Sequence, residues 1–224
     1  MELKGKIIDF LGDSITEGVG VSNREENRYD NRMKKMYGLK ATYNYGVGGT
    51  RLAHQQKPSM KYRHDLCFCG RAYDLNKNAD IIVVYGGVND YLHGDAEFGT
   101  LSDQTPATFC GAVRSLIRII KELYPGKTLV FMTPAHCYYQ GVSDRDISKN
   151  TNKKPDAKPL REYVNVIKAV CEDMGVPALD LQEKLGLDPN KKEDYDSYTV
   201  DGLHFNDEGH AFIAKALGEF LEAL

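Results

Sequence analysis

Residues 7–16, Ile7-Ile8-Asp9-Phe10-Leu11-Gly12-Asp13-Ser14-Ile15-Thr16, decide how the rest of the chain is read. The run from Lys6 to Leu11 is short, mostly apolar and closed by Gly12, which predicts a first β-strand ending in a tight turn. Ser14 then falls where strand gives way to helix, beside backbone N–H groups that have no intrahelical acceptor. A serine in that position suits a nucleophile. It equally suits a helix cap, as does Thr16, so the choice has to come from the surrounding sequence.

Working outward, the same pattern recurs. After a polar stretch interrupted at Gly18 and Gly20, a helix is expected over about Asn27–Tyr37, packing through Tyr29, Met33, Met36 and Tyr37. A second strand, Ala41–Tyr45, runs into the glycine turn Gly46-Val47-Gly48-Gly49-Thr50. A third, Ala79–Tyr85, is a β-branched run suited to burial on both faces, and it ends at Gly86-Gly87-Val88-Asn89-Asp90. Thr105-Pro106 reads as the opening of a helix with Phe109, Val113, Leu116, Ile120 and Leu123 at helical spacing. Thr128–Met132 is a fourth strand and Val176–Asp180 a fifth. Between them lies a helix over Leu160–Met174 that turns Leu160, Val164, Ile167 and Cys171 inward, with Gly175 at its end. A last helix carries Ile213, Leu217, Phe220 and Leu224. Strands alternating with helices predict an α/β fold: a three-layer α/β/α sandwich, flavodoxin-like, with a five-stranded parallel sheet whose ligands sit at the carboxyl ends of the strands.

The 224 residues, 42% hydrophobic and 27% charged, are read as one domain over 1–224 with a full core. A net charge of −3 gives no reason to expect nucleic acid or an anionic membrane as partner. No apolar run approaches the roughly 20 residues that span a bilayer, and residues 1–5 carry no signal-peptide pattern, so a soluble, cytoplasmic protein is expected, or a secreted one in mature form. Five cysteines, Cys67, Cys69, Cys110, Cys137 and Cys171, are odd in number and read as reduced thiols.

Asp201-Gly202-Leu203-His204, just before the terminal helix, adds a second chemical element. An Asp three residues before a His reaches the imidazole within one turn, where it sets the tautomer and stabilises the imidazolium. The chain at this point resembles the SGNH hydrolases, also called GDSL esterases and lipases. Four blocks carry the resemblance in order: Gly12-Asp13-Ser14-Ile15-Thr16, Asn44 with Gly49, Gly87-Val88-Asn89-Asp90, and Asp201-Gly202-Leu203-His204. The resemblance implies Ser14 as nucleophile, His204 as general base and Asp201 as its orienting acid. It also implies an oxyanion hole from the Ser14 and Gly49 backbone N–H groups and the Asn89 side-chain amide, with no metal and no cofactor. The turn is not a Gly-x-Ser-x-Gly elbow, because position 16 is threonine.

Two other readings remain open on the residues alone. A metal-dependent hydrolase would use Asp13, Asn89, Asp90, Asp201 and His204, and His64 with Cys67 and Cys69 is half of a zinc pattern; these last three are expected to be ordinary loop or core residues. A flavodoxin-type binding module would hold an anion in the glycine turns. The resemblance itself implies ester or thioester hydrolysis, with lipase, thioesterase and acyltransferase as alternatives. Short acyl chains, acetyl above all, on a small-molecule or carbohydrate alcohol are expected from the two long segments that leave the third and fourth strands. Tyr91–Gln104 carries His93, Asp95, Glu97 and Asp103, and Ala135–Lys158 carries Asp144, Arg145, Asp146, Lys149, Lys153 and Lys154. Tyr91, Phe98, Tyr138 and Tyr139 among them suit stacking on a sugar ring better than enclosing an alkyl tail.

Overall fold

The computed structural model describes residues 1–138 and 158–224. Its centre is one five-stranded parallel sheet, β1 (Ile7–Gly12), β2 (Ala41–Gly46), β3 (Ile81–Tyr85), β4 (Thr128–Met132) and β5 (Ala178–Leu179), in the order β2-β1-β3-β4-β5. This is the doubly wound order of flavodoxin-like folds, whose switch point lies between the first and third strands. Both β1 and β3 end there, β1 at Gly12 opposite Tyr85.

Alternation along the strands builds a core on each face. Leu11, Ile82, Val84, Leu129 and Phe131 point to one side, where they meet Phe109, Val113, Leu116 and Ile120 of the helix Phe109–Leu123 and Leu160, Ile167 and Cys171 of the helix Leu160–Asp173. Ile8, Phe10, Ile81, Val83, Tyr85, Val130 and Met132 point to the other, against Tyr29 and Met33 of the helix Tyr29–Tyr37 and Ile213, Leu217 and Leu221 of the helix Asp207–Glu222. The fold is the three-layer α/β/α sandwich. Among the described residues no helix is long and apolar enough to cross a membrane, and none of the five cysteines is in a disulfide bond.

Several details differ from expectation. The helix at 109 is capped by Thr108, whose hydroxyl accepts from the Gly111 N–H at 3.1 Å, not by Thr105. Pro106 instead offers its carbonyl to the His54 N–H at 2.8 Å, so the Thr-Pro pair closes a turn ahead of the helix. Met36, Leu123 and Leu224 are exposed, because each lies in the last turn of its helix or just beyond it, where the chain has run past the core. Residues 24–27 form a separate short helix rather than the start of the one at 29. The fifth strand pairs over two residues only.

The segment after β3 is not an open loop. Val88–His93 is a helix, and Tyr91 and Phe98 turn into the core, where Phe98 lies 5.0 Å and Tyr91 5.7 Å from the Tyr163 ring. Neither is free to stack on a ligand. Two of its acids are engaged as well: Asp95 accepts from the Gln56 and Lys57 N–H groups and Asp103 from the Thr100 N–H. Of the second segment, Tyr139, Asp144, Arg145, Asp146, Lys149, Lys153 and Lys154 lie outside the described residues.

Candidate active site

At the end of β1 the chain enters a short helix, Ser14–Glu17, and its cap is Asp13, whose Oδ1 accepts the Ile15 N–H at 3.0 Å. That leaves the Ser14 side chain, the first in the helix, free of capping duty. Thr16 is also committed elsewhere, its hydroxyl 2.9 Å from the Tyr29 hydroxyl. Gly12 makes this turn possible, since a Cβ there would lie 1.9 Å from Thr16 Oγ1. Asp13 is buried with Oδ2 unpartnered among the described residues; burial pushes its pKa up to about 6, against the pull of the Ile15 N–H, His204 and Arg71.

The Asp201–His204 turn comes to Ser14 from the far end of the chain. Asp201 Oδ1 accepts the Leu203 N–H at 3.0 Å and the His204 N–H at 2.7 Å, so the acid folds its own turn. Asp201 Oδ2 lies 2.7 Å from His204 Nδ1, and His204 Nε2 lies 2.9 Å from Ser14 Oγ. With Nδ1 donating to the carboxylate, Nε2 is left as the acceptor for the serine hydroxyl. Burial alone would raise the Asp201 pKa, but the His204 ring, the backbone N–H groups and the His204 charge outweigh it and hold the carboxyl below its ordinary value.

The glycine turn packs against the serine: a Cβ on Gly48 would lie 3.4 Å from Ser14 Cβ. Glu17 pins this turn by accepting the Gly48 N–H at 2.7 Å, and Arg63 donates to both Glu17 oxygens at 2.8 and 3.0 Å. Asn44 closes the other edge, donating to the Thr16 carbonyl at 2.8 Å and accepting from the Gly46 N–H. Gly49 has φ of 78°, a backbone region that side chains disfavour. A Cβ there would also lie 2.5 Å from the His64 ring. Asn89, buried at the start of the helix after β3, donates to the Thr50 carbonyl at 3.0 Å, which sets its amide one residue from Gly49. The next residue, Asp90, accepts the Leu52 and Ala53 N–H groups at 2.9 Å each and anchors the chain just past the turn.

Of the five residues implied by the resemblance, Ser14, His204 and Asp201 are joined by hydrogen bonds, while Gly49 lies in the turn after β2, beside Gly48, which packs on Ser14, and Asn89 follows β3 and reaches that turn at Thr50. Sequence reasoning missed groups that hold them, Glu17 with Arg63, and Arg71, which donates to the Tyr45 carbonyl and to Thr50 Oγ1, and it took Asp90 only as the end of the third block and a candidate metal ligand. It also read His64 as an ordinary loop residue, whereas the ring covers Gly49. The only available signal was proximity in sequence to the blocks, as for Glu17 and Asp90. Among the described residues no group of three His, Cys, Asp or Glu side chains is arranged to hold a metal ion.

Comparison with known proteins gives the family. The sequence model of the GDSL-like Lipase/Acylhydrolase family matches residues 10–212. A curated relative, the isoamyl acetate-hydrolyzing esterase 1 homolog of Bos taurus, is 24% identical over 148 residues, 63% of this chain and 55% of that protein. The chain thus spans about half the length of the curated relatives it matches. The crystal structure of a Lactobacillus plantarum protein aligns with a TM-score of 0.81 at 26% identity over 98% of both chains. An acetyl xylan esterase aligns with a TM-score of 0.62 at 23% identity, over 95% of this chain and 98% of that one, a likeness of fold. Because the family model runs through all four sequence blocks, from the serine turn to the Asp-x-x-His turn, the chain belongs to the GDSL-like lipase/acylhydrolase family.

Proposed function

We propose that the protein is a carboxylic ester hydrolase that works through an acyl-enzyme on Ser14. The observation that carries this reading is the unbroken line Asp201 Oδ2, His204 Nδ1, His204 Nε2, Ser14 Oγ, with gaps of 2.7 and 2.9 Å. Ser14 Oγ attacks the acyl carbon while its proton passes to His204 Nε2, and Asp201 stabilises the imidazolium. The negative charge that develops on the acyl oxygen is met by the Ser14 and Gly49 backbone N–H groups and the Asn89 amide. As the tetrahedral adduct collapses, the bond to the alcohol oxygen breaks and His204 returns the proton to the departing alcohol. Water then repeats the sequence and releases the acid.

The acyl group is short, acetyl above all. In support, the wall over Gly49 is the His64 imidazole, a polar ring in a place where a fatty chain would need apolar cover worth about 0.8 kcal/mol per buried methylene. The alcohol is small or carbohydrate-like. Tyr138, 39% exposed, donates its backbone N–H to the Gly202 carbonyl at 2.7 Å and lines a cleft of about 330 Å³ with Asn190, Tyr195 and Asp196, two of whose residues, Tyr138 and Tyr195, lie against Gly202. Of the aromatic residues in the two segments, Tyr91 and Phe98 are in the core, which leaves Tyr138 as the described one for a sugar.

The test is Ser14→Ala assayed on nitrophenyl acetate and on a nitrophenyl ester of a long fatty acid, with a chelator present. Loss of nearly all acetate hydrolysis at an unchanged melting temperature, and a wild-type preference for acetate, support the proposal. Activity retained without Ser14 overturns the mechanism, and equal or better turnover of the long ester overturns the acyl preference.

A further inference from the structure

We propose that His93 is a positioning residue for the reaction: it locks the Asn89 side-chain amide in the one orientation that turns its NH₂ group toward the acyl oxygen. This rests on the reading of Asn89 as an oxyanion donor and adds what makes that donor dependable.

An asparagine amide has two orientations related by a half turn, and only one presents N–H to the reacting centre. In this protein a fixed donor determines which is adopted. Arg51, immediately after the glycine turn, places a guanidinium nitrogen 3.0 Å from His93 Nδ1. Arginine has no acceptor and does not lose its proton in proteins, so Nδ1 has to supply the lone pair. The single hydrogen of a neutral His93 is then on Nε2, which lies 2.9 Å from Asn89 Oδ1. A donor at Nε2 requires the oxygen of the amide to face it, and the NH₂ is forced to the opposite side, where one hydrogen goes to the Thr50 carbonyl at 3.0 Å. The second hydrogen is left for the acyl oxygen.

The relay is anchored at its far end. The Arg51 side chain is buried and donates to Ser59 Oγ at 2.7 Å and to Asp65 Oδ1 at 3.1 Å. His93 lies four residues after Asn89 on one helix, so the spacing of that helix sets the last contact. A protonated imidazole would point an N–H at Arg51. Burial, with the Arg51 and His64 charges, pushes the His93 pKa down to about 4 and keeps the ring neutral through the neutral range.

The test compares His93→Leu, which removes both ring nitrogens, with His93→Gln, whose amide oxygen accepts from Arg51 while its NH₂ donates to Asn89. Both are made in the wild-type and Asn89→Ala backgrounds and assayed on nitrophenyl acetate, with thermal melts to select folded protein. A misplaced transition-state donor costs on the order of 10²-fold, so His93→Leu should lower kcat by about 10- to 100-fold with KM changed by less than about threefold. His93→Gln should regain most of the loss, and it carries the test if the leucine variant does not fold. In the Asn89→Ala background either change should cost less than about threefold, since the group being positioned is gone. Wild-type kcat in His93→Leu, or a loss that multiplies in full with that of Asn89→Ala, overturns the proposal. Wild-type kcat in Asn89→Ala alone instead overturns the oxyanion reading of Asn89, so the two failures are distinguishable.

Discussion

The two halves of the proposed catalytic site, base and oxyanion hole, are held in opposite ways. The base side, Asp201 to His204, is local: one carboxylate accepts two backbone N–H groups of its own turn and the imidazole of the residue three positions on. It is also comparatively open, with the Asp201 side chain 46% exposed and that of His204 18%. The oxyanion side, Gly49 and Asn89, is assembled from segments far apart in the chain. Glu17 and Arg63 hold the turn from one flank, Asp90 holds the residues beyond it, and Arg51 and His93 back Asn89 from behind. A self-contained turn tolerates change around it and fails only at its own residues. A distributed, buried network couples each member to the stability of the fold.

That contrast makes predictions, the largest on the base side. Asp201→Asn should lower kcat by as much as about 10⁴-fold, because an amide facing Nδ1 stabilises neither the correct tautomer nor the imidazolium. Its melting temperature at neutral pH should fall only a little, since the turn is partly solvated and an amide oxygen still accepts from the backbone, so that what is lost is the carboxylate's pairing with His204. A kinetic loss below tenfold would break the comparison. On the oxyanion side, Asn89→Ala should cost about 10²- to 10³-fold in kcat. Here the melting temperature should fall as well, because the partly buried His93 Nε2–H and the buried Thr50 carbonyl both lose a partner, each worth about 1–3 kcal/mol. An Asn89→Ala protein as stable as wild type would contradict the coupling.

The smallest effect is read in the pH dependence of stability, where the two acids differ in sign. Burial pushes Asp90 up to about 7, against the Ala53 and Leu52 N–H groups and the Arg51 charge. Folded protein therefore holds this proton more tightly than unfolded chain. The associated stability is complete below the ordinary value of 3.8 and is lost as pH rises toward 7. Asp201 is shifted down, so its contribution is present above the ordinary carboxylate pKa and is lost as pH falls through its folded value. Asp90→Asn should be destabilised by about 1–3 kcal/mol, since one backbone N–H loses its acceptor. Melts from pH 5 to pH 8 should show that deficit narrowing as pH rises, because only wild type carries the falling slope. A deficit that widens with pH would give Asp90 the opposite sign.

The same contrast explains what could be read from sequence. Strand periodicity, the Gly12 turn and the core positions Val164, Ile167 and Leu217 are local patterns, and so is Asp-x-x-His, whose partners are three residues apart. The helix start at 109 was misplaced because Thr105-Pro106 and Thr108 are both plausible caps, and the choice depends on where Pro106 sends its carbonyl, to His54. Tyr91 and Phe98 look like loop aromatics until Tyr163, some 65 to 72 residues later, supplies the ring they pack on. His93 counted as a polar loop residue for the same reason, since its role depends on Arg51, 42 residues earlier. Long-range pairs of this kind leave no periodicity to detect.

The proposed reaction depends first on the nucleophile. Wild-type protein treated with a fluorophosphonate and digested for peptide mass mapping should carry one adduct per chain, on Ser14, with activity falling in step with labelling. His204→Ala should label far more slowly, because the hydroxyl loses the acceptor 2.9 Å away. Inactivation with the adduct on any other residue and Ser14 unmodified would contradict the account.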